Sequence, residues 1–146
     1  HLEVRVKQLI ESRQQLRKHY QQDVITQFVK ENKISQLDSN FLKKCNTIIE
    51  KHLTDNEYGV EQMSVEMSLS RVHVYRKIKH LTGLTVSEFI RNIKLKKAAA
   101  MLSESGKSIS EVAYETGFSS PSYFSKCFKD LYSISPTDFV QNNTSA

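Results

Sequence analysis

Apolar residues recur every three or four positions along most of the chain, which is the spacing of helices that bury one face. The first complete pattern follows Asp38 and Ser39, either of which can cap a helix. The breaks between later apolar runs carry glycine, serine or proline, which commonly end or start helices. Helices are predicted to begin near residues 38, 60, 71, 85, 108, 121 and 136, so the pattern indicates an all-α fold of about seven helices.

The longest predicted helix runs from Thr85 or Val86 to about Ser103. Gly83 is placed to end the helix before it in the left-handed conformation, and Gly106 marks the break after it. We assign its apolar residues to one buried stripe, made of Phe89, Ile90, Ile93, Ala98 and Met101 or Leu102.

The second half of the chain repeats the first at an offset of about 50 residues. Residues 76–89 register on residues 126–139, and the short helices near residues 60 and 109 register at 49. Each half is therefore predicted to be a short helix, a tight turn and a longer helix. This helix-turn-helix arrangement presents its second helix to the major groove of DNA.

Each longer helix has an inward face and an outward face. Val74, Ile78 and Leu81 define the inward face of the first, as Phe124, Phe128 and Leu131 do in the second. The outward residues are Arg71, Val72, Tyr75, Arg76 and Lys79 in the first helix, and Ser122, Ser125, Lys126 and Lys129 in the second, with Tyr123 at the boundary. Both outward faces carry positive charge and hydrogen-bond donors.

Charge is concentrated in one part of the chain. The 146 residues carry a net charge of +5, but residues 71–100 contain eight Lys or Arg and one acid, Glu88, so this stretch carries +7 and the remainder −2. A local excess of this kind fits neutralisation of phosphates better than general solubility. Lys94, Lys96 and Lys97 are interpreted as bystanders on a solvated helix face.

The sequence indicates no enzymatic chemistry. The five histidines offer no HExxH or three-ligand spacing, and there is no glycine-rich phosphate loop or nucleophile elbow. We therefore expect no catalytic residues, no metal site and no cofactor. Cys45 and Cys127 lack CxxC spacing and are predicted to be reduced, buried side chains. No apolar run approaches the roughly 20 residues of a membrane-spanning helix, so we expect a cytoplasmic location.

The beginning of the chain has a different pattern. Leu2, Leu9 and Leu16 recur every seven residues and form an apolar seam that Arg13 interrupts. The seam fits either a helix that docks on a neighbouring domain or a helix that forms a homodimer. Because His1 falls inside a helical pattern, we interpret the chain as a piece of a longer protein, and this interpretation leaves room for a membrane anchor in the remainder. Residues 1–37 are predicted to be a helical connector from an upstream domain.

The chain from about Phe41 to Val140 resembles the DNA-binding domain of the AraC/XylS family of bacterial transcription regulators. The segment "ISEVAYETGFSSPSYFSKCFKDLYSISPTDF" is similar to the family signature of Ile, Ala, Gly-Phe, Tyr-Phe, Phe-Lys and Ser-Pro at these separations. The resemblance implies a two-lobed domain over residues 38–146 that places two recognition helices in successive major grooves of double-stranded DNA. Its expected parts are a first helix-turn-helix subdomain (38–84), a linker helix (85–104) and a second subdomain (105–141).

The resemblance also implies roles for individual residues. Arg76 is the strongest candidate for a base contact, because its guanidinium fork fits the O6 and N7 atoms of guanine. The base-reading candidates are Val72, Tyr75, Arg76, Ser122, Tyr123 and Lys126. The phosphate-contacting candidates are Ser70, Arg71, His73, Lys79, Ser120, Ser125 and Lys129. Ser68 and Ser133 stand where the family often or usually has glycine, which is expected to strain these two turns.

The opening residues are similar to the connector that follows the receiver domain in hybrid two-component regulators. That similarity implies receiver and sensor domains upstream, outside this chain, and an output role in a phosphorelay. Nothing in this piece is expected to bind a small-molecule ligand. The alternative is a helical interaction module that uses the heptad helix to bind a partner and its basic face to bind an acidic protein or RNA. DNA binding predicts a steep fall in affinity with salt, whereas a hydrophobic helix-in-groove contact would barely respond to salt.

Overall fold

The computed structural model describes residues 35–104 and 106–144, and this part of the chain folds into seven α-helices. They are α1 (Gln36–Lys51), α2 (Val60–Met67), α3 (Arg71–Thr82), α4 (Val86–Glu104), α5 (Ile109–Glu115), α6 (Pro121–Tyr132) and α7 (Pro136–Thr144). The predicted all-α fold, with two helix-turn-helix units joined by a long helix, is confirmed. The apolar seam near the start of the chain lies outside the described residues.

Most helix boundaries follow from their capping residues. The Ser70 hydroxyl accepts a hydrogen bond from the backbone N–H of His73 at 3.1 Å, and Ser108 and Glu111 form a reciprocal capping box. Pro121 and Pro136 are the first residues of α6 and α7, as predicted, because a missing N–H costs nothing in a first turn.

Two boundaries were predicted wrongly. The prediction that Asp38 or Ser39 caps α1 is incorrect, because Ser35 is the cap and accepts from the Asp38 N–H. Asp38 instead lies in the first turn, where a carboxylate favours the positive end of the helix dipole. Helix α7 continues to Thr144 rather than ending near Val140, since no glycine or proline follows Val140 to stop it.

Helix α4 carries two apolar stripes where the sequence pattern suggested one. Val86, Phe89, Ile90 and Ile93 belong to one buried cluster, whereas Leu95, Ala98, Ala99 and Leu102 belong to another. At about 100° per residue, the centres of these two sets lie about 180° apart around the helix axis. The single-stripe prediction is therefore wrong, because it merged residues that face opposite sides of α4.

The two stripes divide the domain into two lobes. The first lobe packs α1, α2 and α3 against the beginning of α4, and the second packs α5, α6 and α7 against its end. The fully buried aromatic side chains are Phe89 in the first core and Phe124 and Phe128 in the second. Each helix-turn-helix unit therefore has its own apolar core, and α4 contributes to both.

The repeat is visible in the backbone. Ser70 and Ser120 cap α3 and α6, and Gly83 and Ser133 end these helices in the left-handed conformation, with φ of 75° and 62°. Ser68, which ends α2, also has a positive φ of 55°. Both serines that replace the expected glycines therefore adopt a conformation that side chains with a Cβ disfavour.

Both cysteines are free and buried, as the sequence predicted. Cys45 Sγ lies 3.6 Å from the sulfur of Met67, and burial raises the pKa of the Cys45 thiol to about 12. The described part of the chain contains no helix both long and apolar enough to cross a membrane, and no cluster of three potential metal ligands.

We expect Ser133→Gly to stabilise the domain. Glycine adopts a φ of 62° without the steric cost that serine incurs, and this gain exceeds the extra chain entropy lost on folding. The free energy of unfolding, measured by urea titration, should rise by about 0.5–1 kcal/mol. The matched control is Ser125→Gly in the middle of the right-handed helix α6, which should lower it by about 0.5 kcal/mol. A loss of stability in Ser133→Gly would contradict the strain at this turn.

Candidate nucleic-acid interface

Helix α3 exposes one face because the opposite face is locked in the first core. Val74 and Ile78 have no solvent exposure, and Leu81 packs against the same cluster. At about 100° per residue, Val72 and Arg76 point most directly away from these side chains. Val72 and Tyr75 are 55% and 46% exposed, which is unusual for large apolar or aromatic residues and leaves them available for contact.

The structure brings the candidates of the first lobe together around Arg76. Ser70, Val72 and His73 line one shallow groove with Arg76. Tyr75 and Lys79 line a neighbouring groove, which Arg76 also borders. Arg76 therefore stands between two surface depressions and can reach a partner seated on either.

Some of these side chains already have partners in the free protein. Arg71 forms an exposed ion pair with Glu61, with 2.9 Å between Nη1 and Oε1, and such pairs contribute little to stability. Lys79 donates to the carbonyl oxygen of Gly83 at 2.9 Å, which caps the end of α3. Both retain N–H groups that can donate to phosphate oxygens.

Helix α6 has the same two-sided construction. Phe124 and Phe128 are fully buried, and Cys127 and Tyr132 complete the inward face. Of the candidates, Ser122, Lys126 and Lys129 are exposed, and Ser120 and Ser125 are half-buried. The Ser120 hydroxyl accepts from the Tyr123 N–H at 3.2 Å, so its proton remains available to a phosphate.

Tyr123 lies at the edge of this face. Its ring centroid is 6.0 Å from that of Phe118, and the side chain is 45% exposed. It also borders an open cleft of about 220 Å³ between the two lobes. The ring is thus fixed on one side by the second core and free on the other.

The outward faces of α3 and α6 match position by position. Arg76 and Lys126 are each the sixth residue of their helix, and Lys79 and Lys129 are each the ninth. Neither helix carries an acidic residue before Asp130. Two copies of one arrangement therefore present cations at corresponding places, as two similar binding units require.

Sequence reasoning did not list the exposed His80 and did not anticipate the position of Lys77. His80 borders the same groove as Tyr75 and Arg76. A helix turns by about 100° per residue, and this rotation already places His80 on the outward face of α3 next to Arg76. Lys77, counted with the basic stretch, is half-buried: its Nζ lies 4.5 Å from the ring centroid of Phe41 and 4.0 Å from Asp38. Lys77 thus helps to cover the first core.

The interpretation of Lys94 as a solvated bystander is wrong. Its side chain is only 5% exposed, and Nζ donates to the carbonyl oxygen of Asp55 at 2.9 Å. Burial lowers the pKa of the Lys94 ammonium, and the nearby Asp55 carboxylate opposes this effect. Lys94 falls between the two apolar stripes of α4, which is why apolar periodicity alone did not place it. Lys97, by contrast, is exposed and lies 3.9 Å from Glu50.

Lys94 lies beside Gly117, in the turn between α5 and α6. A Cβ added to Gly117 would overlap the carbonyl oxygen of Leu53 and approach Lys94 Nζ to 2.8 Å, and the residue has a φ of 78°. The backbone of the second lobe therefore touches the backbone of the first, three residues before the cap of α6. Glycine is required here both for space and for conformation.

Residues 63–142 match the family model described as a helix-turn-helix domain, which covers more than half of the chain. The chain belongs to the AraC-type family of helix-turn-helix DNA-binding domains. The matched residues contain α3, α4, α5 and α6 in full, so the second helix of each helix-turn-helix unit lies within the AraC-type domain. This family is not enzymatic, which confirms the expectation that the chain is not an enzyme.

One relative is similar to nearly the whole chain, including residues outside the AraC-type domain. A protein named histidine kinase P4, from Formosa agariphila, is 36% identical over 142 residues, which cover 93% of this chain and 10% of that protein. The chain therefore spans about a tenth of the length of this relative.

Solved structures share the AraC-type fold. The C-terminal domain of AraT, a response regulator from Geobacillus stearothermophilus, is 26% identical with a TM-score of 0.62, and the match covers 68% of this chain and 82% of that one. The DNA-binding domain of AdpA, solved in complex with a target DNA, is 25% identical with a TM-score of 0.60, covering 65% of this chain and 85% of that one.

We expect Gly117→Ala to destabilise the domain more than Gly83→Ala. Both glycines have a left-handed backbone conformation, but a Cβ at Gly83 meets nothing within 4 Å. Gly83→Ala therefore incurs only the conformational cost of a positive φ. Urea titration should show a loss of about 1–2 kcal/mol for Gly83→Ala and about 2–5 kcal/mol for Gly117→Ala. Equal losses would show that the lobes do not approach closely at Gly117.

Proposed function

We propose that this chain is the DNA-reading output module of a bacterial transcription regulator, in which α3 and α6 enter successive major grooves of one duplex. The observation that carries the proposal is the matched pair of exposed cations, Arg76 and Lys126, at the sixth position of two equivalent helices. Membership in a DNA-binding family supports it, as does similarity to a domain solved with its target DNA.

The proposed roles divide the exposed residues into two groups. Val72, Tyr75 and Arg76 read bases in one groove, and Ser122, Tyr123 and Lys126 read bases in the next. The phosphate contacts are Ser70, Arg71, His73, Lys79, Ser120, Ser125 and Lys129, which flank these readers. Base contacts distinguish sequences, whereas phosphate contacts set the position of the protein on the duplex.

The proposed setting is a two-component phosphorelay in the bacterial cytoplasm. Two similarities support it: one relative is named a histidine kinase and aligns over 93% of this chain, and AraT is described as a response regulator. We propose that residues 1–37 connect the domain to receiver and sensor domains, and that dimerisation through this segment is one route by which a signal changes DNA access.

Binding to DNA should weaken steeply as salt rises. Five cations are exposed on the two faces, and three of them, Arg71, Lys79 and Lys129, belong to the proposed phosphate contacts. If each of these three neutralises one phosphate, the logarithm of the binding constant should fall with the logarithm of salt concentration at a slope of about −3. Fluorescence anisotropy with labelled duplexes measures this slope. A slope near zero would favour the alternative of an apolar contact with a protein partner.

Selection of bound duplexes from a random pool tests sequence reading directly. We expect an enriched motif with two half-sites whose centres lie about 10 base pairs apart, the repeat of the major groove on one side of B-DNA. A pool that shows no enrichment at low salt would exclude sequence-specific reading by these two helices.

Substitution of Arg76 should separate base reading from phosphate binding. Arg76→Ala is expected to weaken binding to the selected site by about 1–3 kcal/mol and to relax one base position. Lys129→Ala is the matched control, since it removes a cation from the proposed phosphate group and should weaken selected and random duplexes alike. Equal effects of Arg76→Ala on selected and random DNA would refute its assignment as a reader.

A further inference from the structure

The two lobes approach each other at a polar contact away from the apolar stripes of α4. It comprises Lys94 of α4, Gly117 of the turn before α6, and residues 53–55 of the segment after α1, which together we term the interlobe bracket. Its members come from three separate parts of the chain. The bracket therefore restrains movements that a hinge in or around α4 would otherwise permit.

The bracket lies close to both recognition helices. On the side of the second lobe, Gly117 lies three residues before Ser120, the cap of α6. Any shift of this turn therefore displaces the start of α6. On the side of the first lobe, residues 56–59 connect residues 53–55 to α2, which packs against α3. A change at the bracket can thus reach α6 through Phe118 and Ser119, and α2 and α3 through residues 56–59.

The surroundings explain why a contact is needed at this place. Lys94 and Gly117 line the open cleft between the lobes, together with Arg91 from α4 and Tyr123 from α6. An open cleft supplies little packing to hold its walls at a fixed separation. The Lys94 hydrogen bond ties α4 to the Asp55 carbonyl oxygen of the first lobe, 39 positions away in sequence, and Lys94 Nζ lies against Gly117 of the second lobe.

We propose that Lys94, with Gly117, sets the relative position of the two recognition helices and thereby the spacing of half-sites that the domain accepts. Lys94 is a positioning residue in this account and makes no contact with DNA. The inference rests on the proposed function, because spacing matters only if both helices read one duplex. One added base pair moves a half-site by about 3.4 Å and rotates it by about 35°. A small change in the relative position of the two recognition helices therefore changes which half-site spacing they fit.

Lys94→Met is the informative substitution. Methionine has nearly the length of lysine and is apolar, so it fills the buried site without the desolvation of an ammonium and should preserve folding. It removes the donor to the Asp55 carbonyl, and Asp55 is exposed enough for water to replace that donor. Lys97→Met is the matched control, because it removes an exposed lysine from the same helix and leaves the bracket intact.

Binding is measured on the selected duplex and on duplexes with one base pair inserted or removed between the half-sites. We expect these shifts to weaken wild-type and Lys97→Met binding about 10-fold to 100-fold, and to weaken binding of Lys94→Met only about threefold. An unchanged ratio between selected and shifted duplexes in Lys94→Met overturns the inference, including the case in which its affinity falls equally on all of them.

Distances in the free protein provide a test that does not depend on DNA. Spin labels attached through Lys43→Cys in α1 and Asp130→Cys in α6 report on the separation of the lobes, while Cys45 and Cys127 are buried and protected from labelling. We expect a broader distance distribution after Lys94→Met than after Lys97→Met. Identical distributions overturn the inference. If wild-type protein enriches no DNA motif, the proposed function fails, and the label distances alone decide whether the bracket holds the lobes.

Discussion

The arrangement of this domain depends on burial of apolar surface on opposite sides of one helix. Phe89 and Ile93 anchor α4 in the first core, and Ala98 and Leu102 anchor it in the second. Neither lobe can bury its core without α4, so the helix is part of both folding units. The lobes consequently share one helix, and the outward faces of α3 and α6 are presented from a common support.

Burial on one side of α3 and α6 is also what creates the candidate DNA-binding surface. Because Val74, Ile78, Phe124 and Phe128 are fully buried, the helices cannot rotate, and the residues opposite them must face solvent. Exposed Arg76 and Lys126 are therefore held in place by apolar packing several ångströms away. The proposed DNA-contacting residues and the core residues lie on opposite faces of the same helices. A substitution in the core can therefore change the position of the exposed residues.

Much of this structure could be predicted from the sequence. Ser70, Ser108 and Pro121 identify helix starts, because capping is a local interaction among residues close in the chain. The division between inward and outward faces in α3 and α6 follows from a single clear periodicity. Local interactions and one-sided burial are the two properties that a sequence pattern records directly.

The sequence-based predictions failed where residues distant in sequence pack against the same helix. Helix α4 has apolar residues on both sides, so its periodicity is ambiguous, and the sequence pattern grouped Lys94 with the solvated lysines. The burial of Lys94 depends on residues 53–55 and Gly117, which are distant in sequence. Similarly, the position of Lys77 over Phe41 reflects packing between α1 and α3 that no local pattern encodes.

The two-sided packing of α4 also constrains the length of the chain. Each residue of an α-helix contributes about 1.5 Å of rise and about 100° of rotation. One residue inserted between Ile93 and Leu95 would turn the entire second lobe by that angle and leave every side chain of both cores chemically unchanged. A point substitution in this part of α4 alters one local contact, whereas an insertion or deletion there would change the relative orientation of α3 and α6 even if both lobes still folded.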